Sequence, residues 1–540
     1  MTNSKEIKVW QPLALSIMLA IGMMFGYKMN NKDQGSLIEY MGNEENHADV
    51  GQVEELIRFV ESRYVDSIDR SFLTEKAINS ILDELDPHSV YISPEQINRI
   101  NNEMEGNFRG IGIEIFYFND TVNIIKTIDE GPAEKAGIRQ FDRIISINDS
   151  LVAGNGMQFS DIRKMLRGDD GDRIKIKLLN RDNVARSVDV LVSDIPVKSV
   201  TGGLMLDDKT GYINILRFGS KTYREFMDLF QDLVEKQNMK NVIIDVRDNP
   251  GGYLPQVTNI LSQLFKEKEK LLVYTNGNND RKLDYKTTGK VFFPIDKIAV
   301  LINENSASGS EIIAGAIQDW DRGVIIGRRS FGKGLVQEQY DLNNGGAIRL
   351  TVARYYTPSG RSIQRSYEDL SSYYSDFEYR YNHGELFAKD SMERGDKVVY
   401  KTMGLKRPVF GGGGITPDIF IPIDSVMFEP FYREVINELP QYVFKKMSHH
   451  SDTFEIDNLS EDILQEYILD KSNSKNSTGL TKNNKNIKLE IKKYLIKYSQ
   501  GAQSVDTYVL PQDDFIKASL NYFYSENLLT DLLEVKTLEK

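Results

Sequence analysis

Residues 303–337 read NENSASGSEIIAGAIQDWDRGVIIGRRSFGKGLVQ and contain the transition that decides how the central chain folds. They follow the apolar strand pattern KIAVLI, and Ser306, Ser308 and Ser310 stand where this strand gives way to a helix. Apolar β-branched strands alternate with helical segments in the same way from 210 to 360. This alternation predicts an α/β core in which helices cover both faces of a mainly parallel sheet.

The three serines have two interpretations. Serine is a favoured helix N-cap residue, so capping alone explains their presence. A helix N-terminus also offers unpaired N–H groups and positive potential, which suit the oxyanion formed when a serine attacks a carbonyl. On this segment alone, capping is the favoured interpretation.

Lys333 lies between two glycines in FGKG. A lysine acts as a general base when burial lowers its pKa toward neutrality, and Phe331, Leu335 and Val336 would supply apolar surroundings. The alternative is an exposed loop lysine. Gln337 would lie about 13 Å from Lys333 on a regular strand, so the two side chains meet only if the chain bends at the glycines.

The segment DVRDNPGGYL, residues 245–254, ends another predicted strand in a turn with free backbone N–H groups. An ordinary strand-to-helix loop is the alternative interpretation. The turn, the serine segment and the lysine segment all follow strands of the predicted sheet. Ligands of open α/β sheets bind at the carboxyl ends of the strands, so the three segments are expected to form one site.

Five ordered motifs, NPGG, SASGSEI, FGKGLVQ, YYTPSGRSIQ and ITPDI, together with LDPHSVYI at 85–92, resemble the carboxy-terminal processing (tail-specific) serine proteases. The resemblance runs from about residue 52 to 430 and implies a crotonase-like or ClpP-like core. It also implies that Ser308 is the nucleophile, that Lys333 is the general base and that Gln337 orients the lysine. The interval of 25 residues between the serine and the lysine agrees with that family.

The same resemblance implies an oxyanion hole of main-chain N–H groups. In that family the donors are the residue after the nucleophile and a glycine of NPGG, which correspond to Gly309 and to Gly252 or Gly251. The family usually has alanine at the position of Gly309. Glycine still donates its N–H, and we expect a looser turn there.

Residues 105–195 predict a β-rich module with two helices, beginning with a hairpin around Asn119 and Asp120. The module resembles the PDZ domain that this family inserts before its core. A carboxylate-binding loop is implied, whose successive N–H groups would capture a chain terminus while the peptide adds to the sheet edge as a strand; its residues would be Arg109, Gly110, Ile111 and Gly112. The alternative is a structural turn at the strand edge. Arg167 either carries a polar contact to the core or is an exposed helix-end arginine.

The stretch 9–27 contains no charged residue. Nineteen helical residues span roughly 28 Å, close to the hydrocarbon thickness of a bilayer. No convincing small-x-small cleavage site follows it, so we predict an uncleaved signal anchor within 1–30. Lysines flank both ends of the stretch, so charge alone does not orient it. The short N-terminal tail favours a topology with the N-terminus inside the cell and the rest of the chain outside the cytoplasm. We therefore expect a single-pass protein of a bacterial inner membrane with its catalytic body in the periplasm.

Composition excludes several classes of function. A net charge of −12 argues against nucleic acid as the main partner. The chain has no cysteine, which removes disulfides, thiolate metal sites, cysteine nucleophiles and a lipoprotein anchor. The five histidines show no zinc-binding spacing, so neither a metal nor another cofactor is expected. His88 is interpreted as structural, and Glu311 as compensation of the helix dipole.

The predicted organisation has five parts. The region after 430 is helical in pattern and we assign it to no family; it is either an assembly or partner-binding domain or a solvated appendage. The N-terminal helices carry two apolar stripes, and a third helix begins with the capping-box pattern Ser93-Pro94-Glu95-Gln96. The boundaries are 1–30 for the anchor, 31–104 for the tether and helices, 105–195 for the PDZ domain, 196–430 for the protease core with an insertion at 366–408, and 431–540 for the helical region.

The expected activity is cleavage, by a Ser–Lys dyad, of protein substrates recognised by their C-terminal tails. One alternative is a catalytically silent PDZ-type scaffold, although such a protein would normally have lost Ser308 or Lys333. A second is a crotonase-like enzyme acting on acyl-CoA thioesters, which an anchor and a PDZ-like module fit poorly. The expected partners are protein substrates and the membrane, with a homo-oligomer or an adaptor protein left open.

Overall fold

A computed structural model of the chain describes residues 47–168, 171–278, 281–391, 398–449, 454–471 and 484–525. The predicted anchor at 9–27 lies outside them. Among the residues described, no helix has both the length and the apolar character required to cross a bilayer. The chain divides into two compact units, Met1–Leu85 and Asp86–Lys540.

The first unit contains two described helices, α1 (His47–Arg63) and α2 (Arg70–Asp83). Asp69 caps α2 by accepting the Ser71 N–H at 2.8 Å. The periodicity predicted both helices, but much of their apolar stripes, including Leu56, is exposed. Among the described residues of this unit, Leu82 is the one buried member of the stripes, so the stripes identify the helices but form no extended core there.

The second unit opens with β1 (Val90–Ile92) and α3 (Pro94–Glu105). The predicted capping box of α3 is wrong, because the Ser93 hydroxyl donates to Glu95 and makes no cap hydrogen bond. The elements that follow are β2 (Asn107–Gly110), β3 (Ile113–Phe118), β4 (Thr121–Thr127), α4 (Pro132–Lys135), β5 (Arg143–Ile147), β6 (Ser150–Leu151), α5 (Phe159–Met165), β7 (Arg173–Leu179), β8 (Ala185–Leu191) and β9 (Ser193–Pro196).

These elements form the predicted β-rich module with two helices. Its sheet has the order β3-β4-β5-β7-β8, with β6 paired to β5, so β3 is an edge strand. The hairpin between β3 and β4 is confirmed, and Asn119 and Asp120 both have the positive φ that tight hairpin turns require. A separate antiparallel pair, β2 with β9, lies where the chain enters and leaves the module.

The core follows in the order β10 (Val200–Met205), β11 (Thr210–Ile215), α6 (Thr222–Gln237), β12 (Asn241–Asp245), α7 (Leu254–Leu264), β13 (Lys268–Gly277), β14 (Lys282–Thr288), β15 (Lys297–Ile302), α8 (Gly309–Asp319), β16 (Val324–Gly327), β17 (Leu335–Asp341) and β18 (Ala347–Tyr356). The inserted segment (366–408) then contains α9 (Leu370–Tyr374), α10 (Asp376–Asn382), β19 (Val399–Lys401) and the start of β20 (Pro408–Phe410). After it come β21 (Ile419–Phe420), α11 (Pro430–His449), α12 (Ile456–Lys471), α13 (Asn484–Gln500), α14 (Ala502–Val509) and α15 (Asp514–Tyr524).

The main core sheet has the order β10-β11-β12-β15-β16-β21, and all its pairings are parallel except that of β10 with β11. Alternate residues of each strand face opposite sides. Ile244 and Val300 join the cluster that includes α6, α7 and α8, while Ile243 and Leu301 pack with α15. The prediction of a mainly parallel sheet covered on both faces is confirmed, and the C-terminal helix α15 contributes to the cover of the second face.

A second, antiparallel sheet was not predicted. It has the order β1-β18-β13-β14, and β17 pairs with β18. The expectation that β17 and β18 continue the parallel alternation is therefore wrong. The hairpin β13–β14 escaped detection because charged residues alternate through KEKEKLLVY and hide its apolar face. A two-stranded hairpin also needs no crossover helix, so it fits between α7 and β15.

The C-terminal helices pack on both other parts of this unit. Phe116, Ile125 and Phe141 of the PDZ-like module share an apolar cluster with Phe444 of α11 and Tyr498 of α13. Polar contacts accompany this cluster: Arg181 donates to the Met447 and Ser448 carbonyls, and Lys497 pairs with Glu114. The region is therefore an integrated part of the fold that joins the module to the core.

Candidate active site

The serine segment forms a strained turn between β15 and α8. Ser308, immediately before α8, has φ 54° and ψ −111°, a conformation that L residues rarely adopt. Such a residue costs about 1–3 kcal/mol and persists only where its surroundings hold it. Strain of this kind clusters at functional sites, and here it selects one serine of the three.

The other two serine side chains are used to build the turn. Ser306 donates its hydroxyl to the Val246 carbonyl at 2.8 Å, and Ser310 donates to the Asn249 carbonyl at 2.9 Å. Both are fully buried, whereas Ser308 is half-buried. Ser306 and Ser310 therefore tie the turn to the end of β12, and the side chain of Ser308 is left accessible to a substrate.

Lys333 lies in the bend that precedes β17. Gly332 has φ 92°, and the strand begins only at Leu335, so the spacing of a regular strand does not apply. The Lys333 amine donates to Gln337 Oε1 at 2.8 Å, and Gln337 Nε2 donates to the His88 carbonyl. Burial lowers the pKa of Lys333, with the Arg349 charge acting in the same direction.

Two side chains bridge the serine turn to the lysine bend. Glu311 Oε2 accepts the Ser308 N–H at 2.8 Å and the Lys333 N–H at 2.9 Å. The Tyr355 hydroxyl lies 3.1 Å from the Ser308 carbonyl oxygen and 2.5 Å from that of Lys333. The two segments are therefore neighbours, although in the described part of the chain no hydrogen bond joins the lysine amine to the serine hydroxyl.

The NPGG turn lies against the serine turn. The Asn249 carbonyl accepts the Ala307 N–H at 3.0 Å, and a Cβ on Gly251 would lie 2.7 Å from that of Ser308. The Gly251 N–H is occupied, because it donates to Asn249 Oδ1 at 2.8 Å. The N–H groups of Gly252 and Gly309 donate to no other group in the described ranges, which leaves both available to an incoming oxyanion.

Comparisons with known proteins identify the family of the chain. The profile of peptidase family S41 matches 209–369, and that of the PDZ domain matches 124–180. A carboxy-terminal-processing protease of Bartonella bacilliformis is 36% identical over 335 residues, which cover 60% of this chain and 74% of the relative. The chain belongs to the carboxy-terminal-processing protease family. This protease is a serine peptidase with a PDZ domain.

Two further similarities were found for the protease. The carboxy-terminal processing protease CtpB of Bacillus subtilis is 31% identical over 320 residues, which cover 58% of this chain and 65% of the relative. Among solved structures, the photosystem II D1 C-terminal processing protease is 28% identical, with a TM-score of 0.35. That similarity covers 59% of this chain and 90% of the solved one.

Glu311 is the functional candidate that sequence reasoning missed. Its carboxylate is fully buried and also accepts the Gly332 N–H at 2.7 Å and the Ser330 hydroxyl at 2.5 Å. Burial raises its pKa to about 7, while the hydrogen bonds from Ser330 and three backbone N–H groups oppose that rise. The Ser-x-x-Glu spacing from Ser308 was a signal for a capping contact. It could not reveal that the same carboxylate also holds the lysine bend of the protease.

His88 contributes through its main chain, which accepts from Gln337. Its ring Nε2 lies 2.7 Å from the Tyr373 hydroxyl. Burial, with the Lys333 charge acting in the same direction, lowers its pKa to about 4, so the ring is neutral at pH 7. In this arrangement the histidine supports the glutamine that holds the lysine of the protease.

The PDZ loop divides into two parts. Arg109 and Gly110 belong to β2, and the Arg109 guanidinium pairs with Asp194 at 3.1 Å. Ile111 and Gly112 follow the strand; their carbonyls accept hydrogen bonds, but their N–H groups donate none within the part of the chain that the structure covers. These two N–H groups precede the edge strand β3 and have no acceptor among the described residues.

Gly309, where this protease departs from the usual alanine, is tightly packed. A Cβ there would lie 2.8 Å from Val257 Cγ2 and 3.0 Å from Phe218 Cδ2. The expectation of a looser turn is therefore wrong, because neighbouring side chains fill the space that a methyl group would occupy. Val257 on α7 and Phe218 beside the NPGG turn are both buried, so neither has free room to retreat.

We expect Gly309→Ala to destabilise the protease by about 1–3 kcal/mol through overpacking. The displaced turn should also lower kcat by about tenfold. Adding Val257→Ala should recover much of both losses, since it removes the nearest methyl group. Urea unfolding and peptide cleavage of the two single variants and the double variant measure the coupling. Strictly additive effects would contradict the packing explanation.

Proposed function

We propose that the protease cleaves peptide bonds with Ser308 as nucleophile and Lys333 as general base. The observation that carries this proposal is the shared carboxylate of Glu311, which holds a strained serine next to a half-buried lysine. The bend that partly buries the lysine also turns its amine toward Gln337. For the reaction, the amine must also reach the Ser308 hydroxyl while Gln337 keeps it oriented.

The steps of the reaction follow from these positions. Neutral Lys333 accepts the proton of the Ser308 hydroxyl, and the serine oxygen bonds to the carbonyl carbon of the substrate. The N–H groups of Gly309 and Gly252 donate to the resulting oxyanion. The carbon–nitrogen bond then breaks, and the lysine ammonium returns its proton to the leaving amine. Water hydrolyses the acyl-enzyme with the lysine again acting as base, and Gln337 orients the amine throughout.

We further propose that the PDZ domain selects substrates by their C-terminal tails. Edge strand β3 can accept an extended tail as an additional strand, and the N–H groups of Ile111 and Gly112 can receive its carboxylate. Tail binding without catalysis does not explain the strained conformation of Ser308 or the lowered pKa of Lys333. An acyl-CoA enzyme would have no use for the PDZ domain.

Tail recognition predicts a strong dependence on the terminal carboxylate. Hydrogen bonds to a charged group contribute about 1.5–3 kcal/mol, so amidating the C-terminus of a peptide substrate should lower kcat/KM by about 10- to 100-fold. The comparison uses two peptides of the same sequence, one with a free and one with an amidated C-terminus. Binding of both peptides to the Ser308→Ala variant serves as the control. Equal kcat/KM for the two peptides would contradict tail recognition.

A membrane location is also part of the proposal. The charge-free stretch 9–27 supports a single-pass anchor in a bacterial inner membrane, with the catalytic body in the periplasm. Exposed apolar residues on α1 and α2 support a homo-oligomer or an adaptor as partner. Alkaline extraction of membranes separates an anchored protein from a released one, and light scattering gives the oligomeric mass.

A further inference from the structure

The inserted segment (366–408) contacts the chain immediately before the lysine bend. Arg380 on α10 is 1% exposed, and its guanidinium donates to the Arg329 carbonyl at 2.7 Å and to the Ser330 carbonyl at 3.0 Å. Asp376, one turn earlier, pairs with it at 2.7 Å. A cation buried to this degree is stable only while its partners remain in place, so Arg380 and the two carbonyls restrain one another.

A second pair from the inserted segment restrains the same chain. Glu385 accepts two hydrogen bonds from the Arg329 guanidinium, at 2.6 Å and 2.8 Å. Both side chains are buried, and planar two-bond contacts of this kind define orientation as well as distance. Arg329 is therefore held through its side chain by Glu385 and through its carbonyl by Arg380.

Ser330 connects this contact to the candidate dyad. Its carbonyl accepts from Arg380, and its hydroxyl donates to Glu311, which also accepts the N–H groups of Ser308 and Lys333. One residue thus separates the guanidinium of the inserted segment from the carboxylate that joins nucleophile and base.

The inserted segment also reaches the other side of the base. The Tyr373 hydroxyl contacts the ring of His88, whose carbonyl accepts from Gln337. The Tyr373 ring packs edge-on against Phe331, with centroids 6.0 Å apart. The segment therefore supports both the chain that carries Lys333 and the residue that holds its amide partner.

We propose that Arg380 is a positioning residue for the general base: it holds the lysine bend in the partly buried geometry that directs the Lys333 amine to Gln337. This proposal rests on the proposed function of Lys333. Removing the guanidinium leaves two buried carbonyls without donors, so the chain at 329–330 relaxes and water reaches the lysine. A better hydrated lysine holds its proton more strongly, and fewer molecules then carry the neutral base at pH 7.

The charged and titratable groups that act on Lys333 come from three other elements. Arg349 of β18 lowers the pKa of the lysine, while Asp86, before β1, and Glu311 of α8 raise it. His88 is neutral above about pH 4. Near neutral pH, the activity profile therefore reports Lys333 together with Glu311, whose pKa is about 7.

The test measures kcat and KM of the full chain over about pH 6–10 with a peptide that has a free C-terminus. Arg380→Met should lower kcat by about 10- to 100-fold near neutral pH while KM changes little. The limb on which activity rises with pH should move to higher pH, so the loss shrinks as the medium becomes more alkaline. Arg380→Lys should recover part of kcat. Lys389→Met removes an exposed cation from the same segment and should match the wild type.

Several outcomes would overturn the positioning role. One is that Arg380→Met loses the same factor in kcat at every pH, with the rising limb of its pH profile unchanged. Another is that Arg380→Met keeps the kcat of the wild type. Should that variant fail to fold, Glu385→Gln tests the same restraint through Arg329, and a wild-type profile there counts against the proposal. Lys333→Met distinguishes a failure of the proposed dyad from a failure of the positioning role. Activity in that variant refutes the dyad itself. Its inactivity beside an unaffected Arg380→Met refutes only the positioning role.

Discussion

Ser308→Ala and Lys333→Ala should each lower kcat by at least about 10⁴-fold while the protein stays folded. The serine variant lacks the attacking oxygen, and the lysine variant lacks the group that receives its proton. The alanine side chains fit both positions, since Ser308 is half-buried and Lys333 lies in a bend outside regular structure. Cleavage of a protein with an apolar C-terminal tail measures the loss, and thermal unfolding verifies the fold.

The pH dependence of the activity shows which protonation state of Lys333 is the active one. Lys333 is active when neutral, so activity should rise with pH through its lowered pKa and fall as acid protonates it. Lys333→Arg should be inactive at every pH, because a guanidinium does not release its proton in this range. An active arginine variant would exclude the lysine as base.

A serine-reactive fluorophosphonate probe distinguishes the three serines of the turn. It should label Ser308 and leave Ser306 and Ser310 unmodified, because the latter are buried and donate to carbonyls. Ser310→Ala is the matched control and should keep its labelling at Ser308. Labelling of a different residue in the wild type would contradict the assignment.

Glu311→Gln should lower kcat by about 100-fold and destabilise the fold by several kcal/mol, because a buried donor left without an acceptor costs about 1–3 kcal/mol. The carboxylate accepts four hydrogen bonds, from the N–H groups of Ser308, Gly332 and Lys333 and from the Ser330 hydroxyl. An amide has the same shape, but it directs its own N–H groups at some of these donors. The serine turn and the lysine bend should then separate.

The measurement combines urea unfolding with kcat over the same pH range as for the wild type. Glu338→Gln is the matched control, since it makes the same chemical change at an exposed position of β17. Protonation of Glu311 below about pH 7 should weaken the bridge in the wild type, so part of its acid loss of activity should be absent from Glu311→Gln. Wild-type stability and kcat in Glu311→Gln would show that the carboxylate is dispensable.

Local pattern was sufficient for much of this protein. Apolar periodicity identified the core strands, the helices and the hairpin at Asn119 and Asp120, because those features depend on neighbours within a few residues. The motif order led to the protease family and singled out Ser308 and Lys333. Local pattern did not predict strand β13, because charged residues mask its apolar face. It also predicted a capping box at Ser93 that does not form, because the Ser93 hydroxyl donates to Glu95 instead of contacting the helix backbone.

Only the tertiary structure decided how distant segments combine at the site. On a regular strand, Gln337 would lie about 13 Å from Lys333. The bend at Gly332 instead brings the Lys333 amine within 2.8 Å of Gln337 Oε1. Likewise, the role of Glu311 depends on a bend 21 residues further along the chain. The sequence by itself determined which chemical groups are present and in what order. Which of them share a buried space followed from the packing of surfaces that lie far apart in sequence, and no local pattern encodes that packing.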